Sequence, residues 1–199
     1  MSYPATFEAD YVERRSRLTT FLRIILVIPA AIVLSLYGII ASIAILIAWF
    51  AIVITGRYPG ALYELVAGFN RSLARVTAYA LLLADPYPPF GGGDIPDYPV
   101  RMRFDGPLPH YSRLRTLFRF ILAIPIVILR YAINLLLEIG AIAAWFVIVI
   151  TGKLPRGLFD VMVLASSYTA RSDAYLLLLT ETYPPFQDEQ TRAAGLAEY

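Results

Sequence analysis

Residues 49–90 read WFAIVITGRYPGALYELVAGFNRSLARVTAYALLLADPYPPF, and residues 145–186 read WFVIVITGKLPRGLFDVMVLASSYTARSDAYLLLLTETYPPF. The match extends upstream without a gap at a constant offset of 96 residues. Residues 16–90 then superpose on 112–186 with 32 identities over 75 positions. Ser16-Arg17-Leu18 returns as Ser112-Arg113-Leu114, Arg23 as Arg119, Ile28-Pro29 as Ile124-Pro125, Thr55-Gly56 as Thr151-Gly152 and Ala74-Arg75 as Ala170-Arg171. A Tyr-Pro stands ahead of each copy, at Tyr3-Pro4 and Tyr98-Pro99, with a one-residue difference in spacing before the serine. The chain reads as a tandem duplication. The first copy covers residues 1–90, a Gly/Pro connector 91–97, the second copy 98–186 and a polar tail 187–199.

Upstream of each quoted stretch the chain turns strongly apolar. Ile24 to Ile54 holds no charge at all, and Phe120 to Ile150 holds only Arg130 and Glu138. Charged residues make up 16% of the whole chain, against about 25% in soluble domains. Runs beyond about 18 apolar residues point to the membrane, and both are too long for the apolar region of a signal peptide. The chain has no cysteine, which excludes disulfides, thiolate metal sites and cysteine nucleophiles. A net charge of +2 is too small to argue for nucleic acid.

Each copy repeats one internal order. A short extended stretch comes first; in Val100–Asp105 apolar and charged residues alternate with the period of a strand. A basic lead-in follows (Arg14, Arg15, Arg17; Arg113, Arg115), then the apolar tract to Thr-Gly, then Arg57 or Lys153 and a proline. A helix over about 60–84, or 156–180, precedes Tyr-Pro-Pro-Phe, whose prolines end it. In the first copy this helix sets Glu64, Arg71 and Arg75 opposite Leu62, Leu65, Phe69, Leu73 and Val76. The pattern suits a helix lying in a membrane interface with its arginines toward phosphates, or one packed on its repeat mate. The thinner polar side of the second helix suggests deeper burial. The fold class expected is an all-α integral membrane protein, duplicated, with short extended segments.

Each tract of 31 residues would span about 46 Å as a straight helix, against a hydrocarbon core of about 30 Å. Basic residues flank both ends of both tracts, and such flanks favour the cytoplasm. The charge pattern therefore favours two helical hairpins entered from the cytoplasmic side, with turns near Gly38 and Asn134–Glu138 and with Arg23 and Arg119 snorkelling. The rival arrangement breaks each tract at Pro29 or Pro125 and crosses once, giving inverted repeats.

Arg130, Asn134 and Glu138 share one helix face where the first copy has Leu34, Gly38 and Ser42. They form either a hairpin tip, an interhelical pairing or a polar path. Trp49 and Trp145 suit interfacial anchors, and Arg57, Arg71, Arg75 and Arg171 suit headgroup contacts. His110, the only histidine, has no metal-ligand spacing around it. Asp85 and Glu181 oppose the helix dipole and are expected to pair with an arginine such as Arg17 or Arg113. No triad, carboxylate dyad or phosphate loop is present, so no catalytic residue, metal or cofactor is assigned.

The elements SRLTTFLRIILVIP, WFAIVITGRYPGAL and RVTAYALLLADPYPPF, and their second-copy equivalents, resemble the DUF4389 family of prokaryotic membrane proteins. The second copy departs at Leu154, where the first has Tyr58. The resemblance implies a prokaryotic cell membrane and a two-domain layout, and it implies no activity. The function expected is a non-enzymatic membrane scaffold or accessory subunit whose partners are lipids, a membrane complex or a second copy. The alternatives are a small channel or transporter using Arg130, Asn134 and Glu138, and a lipid-modifying enzyme.

Overall fold

The computed structural model describes residues 3–185; the polar tail and Phe186 lie outside them. The order is β1 (Ala5–Ala9), α1 (Arg17–Phe21), α2 (Arg23–Thr55), α3 (Gly60–Ala80), β2 (Val100–Phe104), α4 (Arg113–Leu117), α5 (Arg119–Thr151) and α6 (Arg156–Leu176). The chain is mostly helical. The all-α expectation is corrected in one respect: the extended stretches of the two copies pair with each other as an antiparallel ribbon. The alternation in VRMRF made β2 legible, but its partner sits 95 residues upstream.

The tracts do not turn back. α2 and α5 are each continuous over 33 residues, so the hairpin turns expected near Gly38 and Asn134–Glu138 are absent. Pro29 and Pro125 do not break them either. Each proline lies in the second turn, where its missing N–H frees one carbonyl and leaves the rest of the ladder intact. The helices stop where the sequence said they would. Gly56 and Gly152 adopt left-handed φ values of 72° and 73° and close them as C-caps. Pro59 and Pro155 then precede α3 and α6.

The far ends of α3 and α6 are closed without glycine. Leu82 and Leu178 take φ of 63° and 65°, and the amides of Leu83 and Leu179 donate back to Ala78 and Ala174 at 2.9 Å. A left-handed leucine costs about 1 kcal/mol. Burial of Leu82, Leu83, Leu178 and Leu179 offsets it, and the turn presents carbonyls to arginines. Arg15 donates to Leu83 O at 2.9 Å. Arg23 donates to Ala84 O at 3.1 Å and pairs with Asp85 at 2.9 Å, its guanidinium 3.9 Å above the Tyr79 ring. Arg119 caps Tyr175 O and Thr180 O from above the Tyr175 ring. Asp85 thus finds an arginine, but Arg23 rather than Arg17. Arg23 and Arg119 reach inward to a helix C-terminus instead of snorkelling, because that terminus offers both carbonyls and the negative end of its dipole.

The two copies interlock. Phe7 of β1 faces Met102 of β2, and these are each other's repeat counterparts at the offset of 95 that links Tyr3 to Tyr98. The ribbon centre therefore marks a pseudo-twofold axis. Around it, Trp49 Nε1 donates to Thr116 O at 3.0 Å, and Trp145 Nε1 donates to Thr20 O at 3.1 Å. The end of α2 thus meets the start of α5, and the end of α5 meets the start of α2, which makes the long helices antiparallel. β1 packs on α6 and β2 on α3. Neither copy completes a core alone, as in an isologous dimer written into one chain.

Candidate functional site

Two features stand out: an uncovered apolar face and a polar cavity near the axis. On α2 the buried positions Arg23, Ala30, Ala41, Ala44, Ala48 and Ile52 form one narrow stripe against α3. The opposite arc is exposed. It presents 13 large apolar side chains, from Ile24 at 76% to Ile54 at 68%, and α5 presents 14 more, among them Phe120 at 70% and Leu136 at 64%. The largest apolar patch on a typical soluble monomer is about 300–600 Å²; at about 100 Å² for each side chain this face is several times larger. The serine and threonine hydroxyls on it are satisfied internally. Ser35 and Ser42 donate to Ala31 O and Gly38 O at 2.7 Å, and Thr55 and Thr151 donate to Ala51 O and Val147 O at 2.6 and 2.7 Å. By length and composition α2 and α5 are both able to cross a membrane.

The arginines chosen for headgroups behave differently from expectation. Arg75 and Arg171 are buried, at 3% and 1% exposure. Arg75 donates to Gly93 O at 3.0 Å and to Gly91 O at 2.5 Å, while Arg71 donates to Gly92 O at 3.3 Å. The triple-glycine connector is thus held along α3. Gly68 meets Gly92 so closely that a Cβ on Gly68 would lie 2.6 Å from the Tyr37 hydroxyl. Desolvation lowers the Arg75 pKa, the cost of using a cation inside. The helix that carries these arginines is not an outer amphipathic helix: α3 is wrapped by α2, the connector, β2 and α6. Its moment is real, but its polar side binds backbone carbonyls. Trp49 and Trp145 join the copies through their indole N–H groups. Of the chosen basic residues Arg57 alone stays exposed, and it stands at one end of α2 beside other exposed cations, Arg17, Arg113, Arg115 and Lys153, at the helix ends.

Arg130, Asn134 and Glu138 do come together, lining a cavity of about 260 Å³ between α5, α3 and α6 that Phe7 also reaches. Arg130 pairs there with Asp173 of α6. Burial raises the Asp173 carboxyl from its ordinary 3.8 to about 6, and the guanidinium beside it pulls it partly back. Asn70 and Ser166 line the same cavity. Both are buried, and neither side chain has a hydrogen-bond partner. Sequence reasoning missed Asp173, Asn70 and Ser166. A signal existed for the first: Arg130 replaces Leu34 and Asp173 replaces Thr77, so the second copy departs from the first twice, with opposite charges. Among the described residues no group of three or more His, Asp or Glu side chains is placed to hold a metal ion.

A family model described as a domain of unknown function, DUF4389, matches residues 17–91 and 113–187. No curated protein and no solved structure matches the chain.

Proposed function

The chain belongs to the DUF4389 family, with two tandem copies of its domain, and from that premise we propose that it is a non-enzymatic membrane scaffold whose two long helices lie side by side in one leaflet. The observation that carries this reading is that both ends of each long helix are tied to one polar body, while the outer arc between them is apolar but for a few hydroxyls. The polar body would rest on the cytoplasmic surface, in contact with lipids and a partner complex.

Orientation follows from the pseudo-twofold axis. It relates two antiparallel helices, so it stands perpendicular to them, and it passes through the strand ribbon. With the helices upright across a bilayer, the ribbon would sit at mid-depth. Glu8, Asp10, Arg101 and Arg103, ion-paired across the ribbon, would then be held in hydrocarbon, a placement that is costly even for paired charges. With the helices flat, those charges point into water, and the exposed cations at the helix ends meet the phosphate layer. The same-side flanks that the charge pattern demands are then met without hairpins. Burying roughly 2,000 Å² of apolar surface at about 25 cal/mol per Å² offers on the order of 50 kcal/mol as an upper bound, far more than the interfacial cations add.

The test uses the absence of native cysteine. Single cysteines replace Arg17 and Arg57, at the two ends of α2, and Asp94, in the connector. In sealed vesicles a membrane-impermeant maleimide is expected to label all three from the cytoplasmic face and none from the other. Labelling of Arg17→Cys and Arg57→Cys from opposite faces ends the flat reading. It would favour instead a transporter of inverted repeats, whose own mark is liposome flux lost in Glu138→Gln.

A further inference from the structure

The cavity near the axis has a charge balance that its lining does not close. Three of its lining residues are charged: Arg130, Asp173 and Glu138. Arg130 is already neutralised by Asp173, which leaves one negative charge, that of Glu138. Asn70 is 1% exposed and Ser166 is 7% exposed, and both lack partners for their polar side-chain atoms. A buried amide without a hydrogen bond costs about 1–3 kcal/mol, so the cavity needs a polar occupant. Water can satisfy an amide and hydrate the exposed side of Glu138, but a small cation would meet the unpartnered oxygens and neutralise the carboxylate together. The remaining lining includes Phe7 and Leu73, apolar surface suited to a methylene or two.

We propose that this cavity binds a small, singly charged primary ammonium group, carried by a free amine or by an ethanolamine lipid headgroup. Glu138 supplies the counter-charge, and the side-chain oxygens of Asn70 and Ser166 accept N–H bonds. A divalent cation would ask for more anionic oxygen than one uncommitted carboxylate offers. At about 260 Å³ the cavity falls just below the range of drug-sized sites, roughly 300–1,000 Å³, and suits a headgroup fragment of a few heavy atoms. The first copy places Leu34, Gly38 and Ser42 at the matching positions, so it lacks the carboxylate that the second copy supplies. The lipid source rests on the flat membrane reading; the free-amine source does not.

The experiment is calorimetric titration of the full chain in detergent with ethanolamine at pH 7, with tetramethylammonium as a cation that cannot donate a hydrogen bond. Saturable one-to-one binding of ethanolamine is expected, at least tenfold tighter than tetramethylammonium. Glu138→Gln, at an exposed position where folding is not at stake, and Asn70→Leu should each weaken it tenfold or more, while Glu138→Asp retains part of it. No ethanolamine binding, equal binding of both cations, or affinity unchanged in Glu138→Gln overturns the proposal. Competition by nanodiscs containing phosphatidylethanolamine, absent with phosphatidylcholine alone, identifies the lipid as the source; ethanolamine binding without that competition identifies a soluble amine. Flotation with vesicles reports separately on anchoring. A chain that floats without binding ethanolamine loses only the site, and one that binds ethanolamine without floating loses only the membrane reading.

Discussion

α2 and α5 descend from one sequence and adopt one shape, yet their middles differ in chemistry. Leu34, Gly38 and Ser42 keep α2 apolar, while Arg130, Asn134 and Glu138 give α5 a polar edge. Both helices hold outer arcs dominated by large apolar side chains. The charges gained by α5 stand on the edge that reaches the cavity, where α6 supplies Asp173. Duplication thus left the membrane-compatible arc unchanged in character and let the inner edge of one copy acquire charge, because a partner from α6 was within reach.

The sharpest way to break the comparison is to convert the second copy to the first. Asp173→Thr alone strands Arg130 at a largely buried position. Removing one partner of a buried pair costs about 3–5 kcal/mol, and the partial exposure of Arg130 (side chain 27%) brings the expectation to about 2–3 kcal/mol. Arg130→Leu with Asp173→Thr restores the first-copy pair and should lie within about 1 kcal/mol of the parent, since apolar replacements of buried pairs are often neutral. Denaturant unfolding in detergent, run as a double-mutant cycle, reads both. With Arg130→Leu as the other single variant, a loss in the double variant equal to the sum of the two single losses would mean that the pair has no coupling.

A second contrast is backbone approach. Gly68 lies against Gly92 in the first copy, whereas the second copy has Leu164 at the matching position. Gly68→Ala drives a Cβ to 3.1 Å from the Gly92 Cα and 2.6 Å from the Tyr37 hydroxyl. Overpacking of this kind costs about 1–3 kcal/mol. Leu164→Ala should instead behave as an ordinary truncation. Proteolysis within the connector, accelerated only in Gly68→Ala, would show that the glycine contact is what holds residues 91–93 down.

Much of this architecture was legible. The duplication, the Thr-Gly helix ends, the second strand and the shared face of Arg130, Asn134 and Glu138 all follow from local pattern. What was not legible depends on which surfaces meet. An apolar tract of 31 residues reads the same whether it crosses, folds back or lies flat, because hydropathy records composition and not tilt. Arg71 and Arg75 sit on a polar helix face as an interfacial helix requires, yet backbone carbonyls take their N–H donors in place of phosphates. Asn70 carries no sequence signal at all, since its lack of a partner exists only once α3, α5 and α6 surround it.

Two smaller effects sharpen the picture further. Asp173 has a folded-state pKa of about 6, above its ordinary 3.8, so folding favours its protonated form. Its contribution is fully present below about pH 4 and is lost as pH rises through about 6. The parent chain should therefore lose stability between about pH 4 and about pH 6, and Asp173→Asn should flatten that part of the profile. No equivalent slope is expected from Thr77, its counterpart. A parent and an Asp173→Asn variant with the same slope would place the titrating group elsewhere.

The smallest effect concerns the arginines. If headgroup contact belongs to the exposed helix ends, Arg57→Ala should weaken binding to anionic vesicles by about 1 kcal/mol, the scale for one basic residue near such a surface. That loss should shrink as salt shortens the screening length toward about 3 Å at 1 M. Arg75→Ala should leave the salt dependence of binding unchanged while lowering stability, because Arg75 is committed to Gly91 and Gly93. Flotation at low and high salt separates the two. A salt-sensitive loss in Arg75→Ala with none in Arg57→Ala would return α3 to the membrane surface and undo the assignment of the outer arc of α2 and α5 as the membrane-binding face.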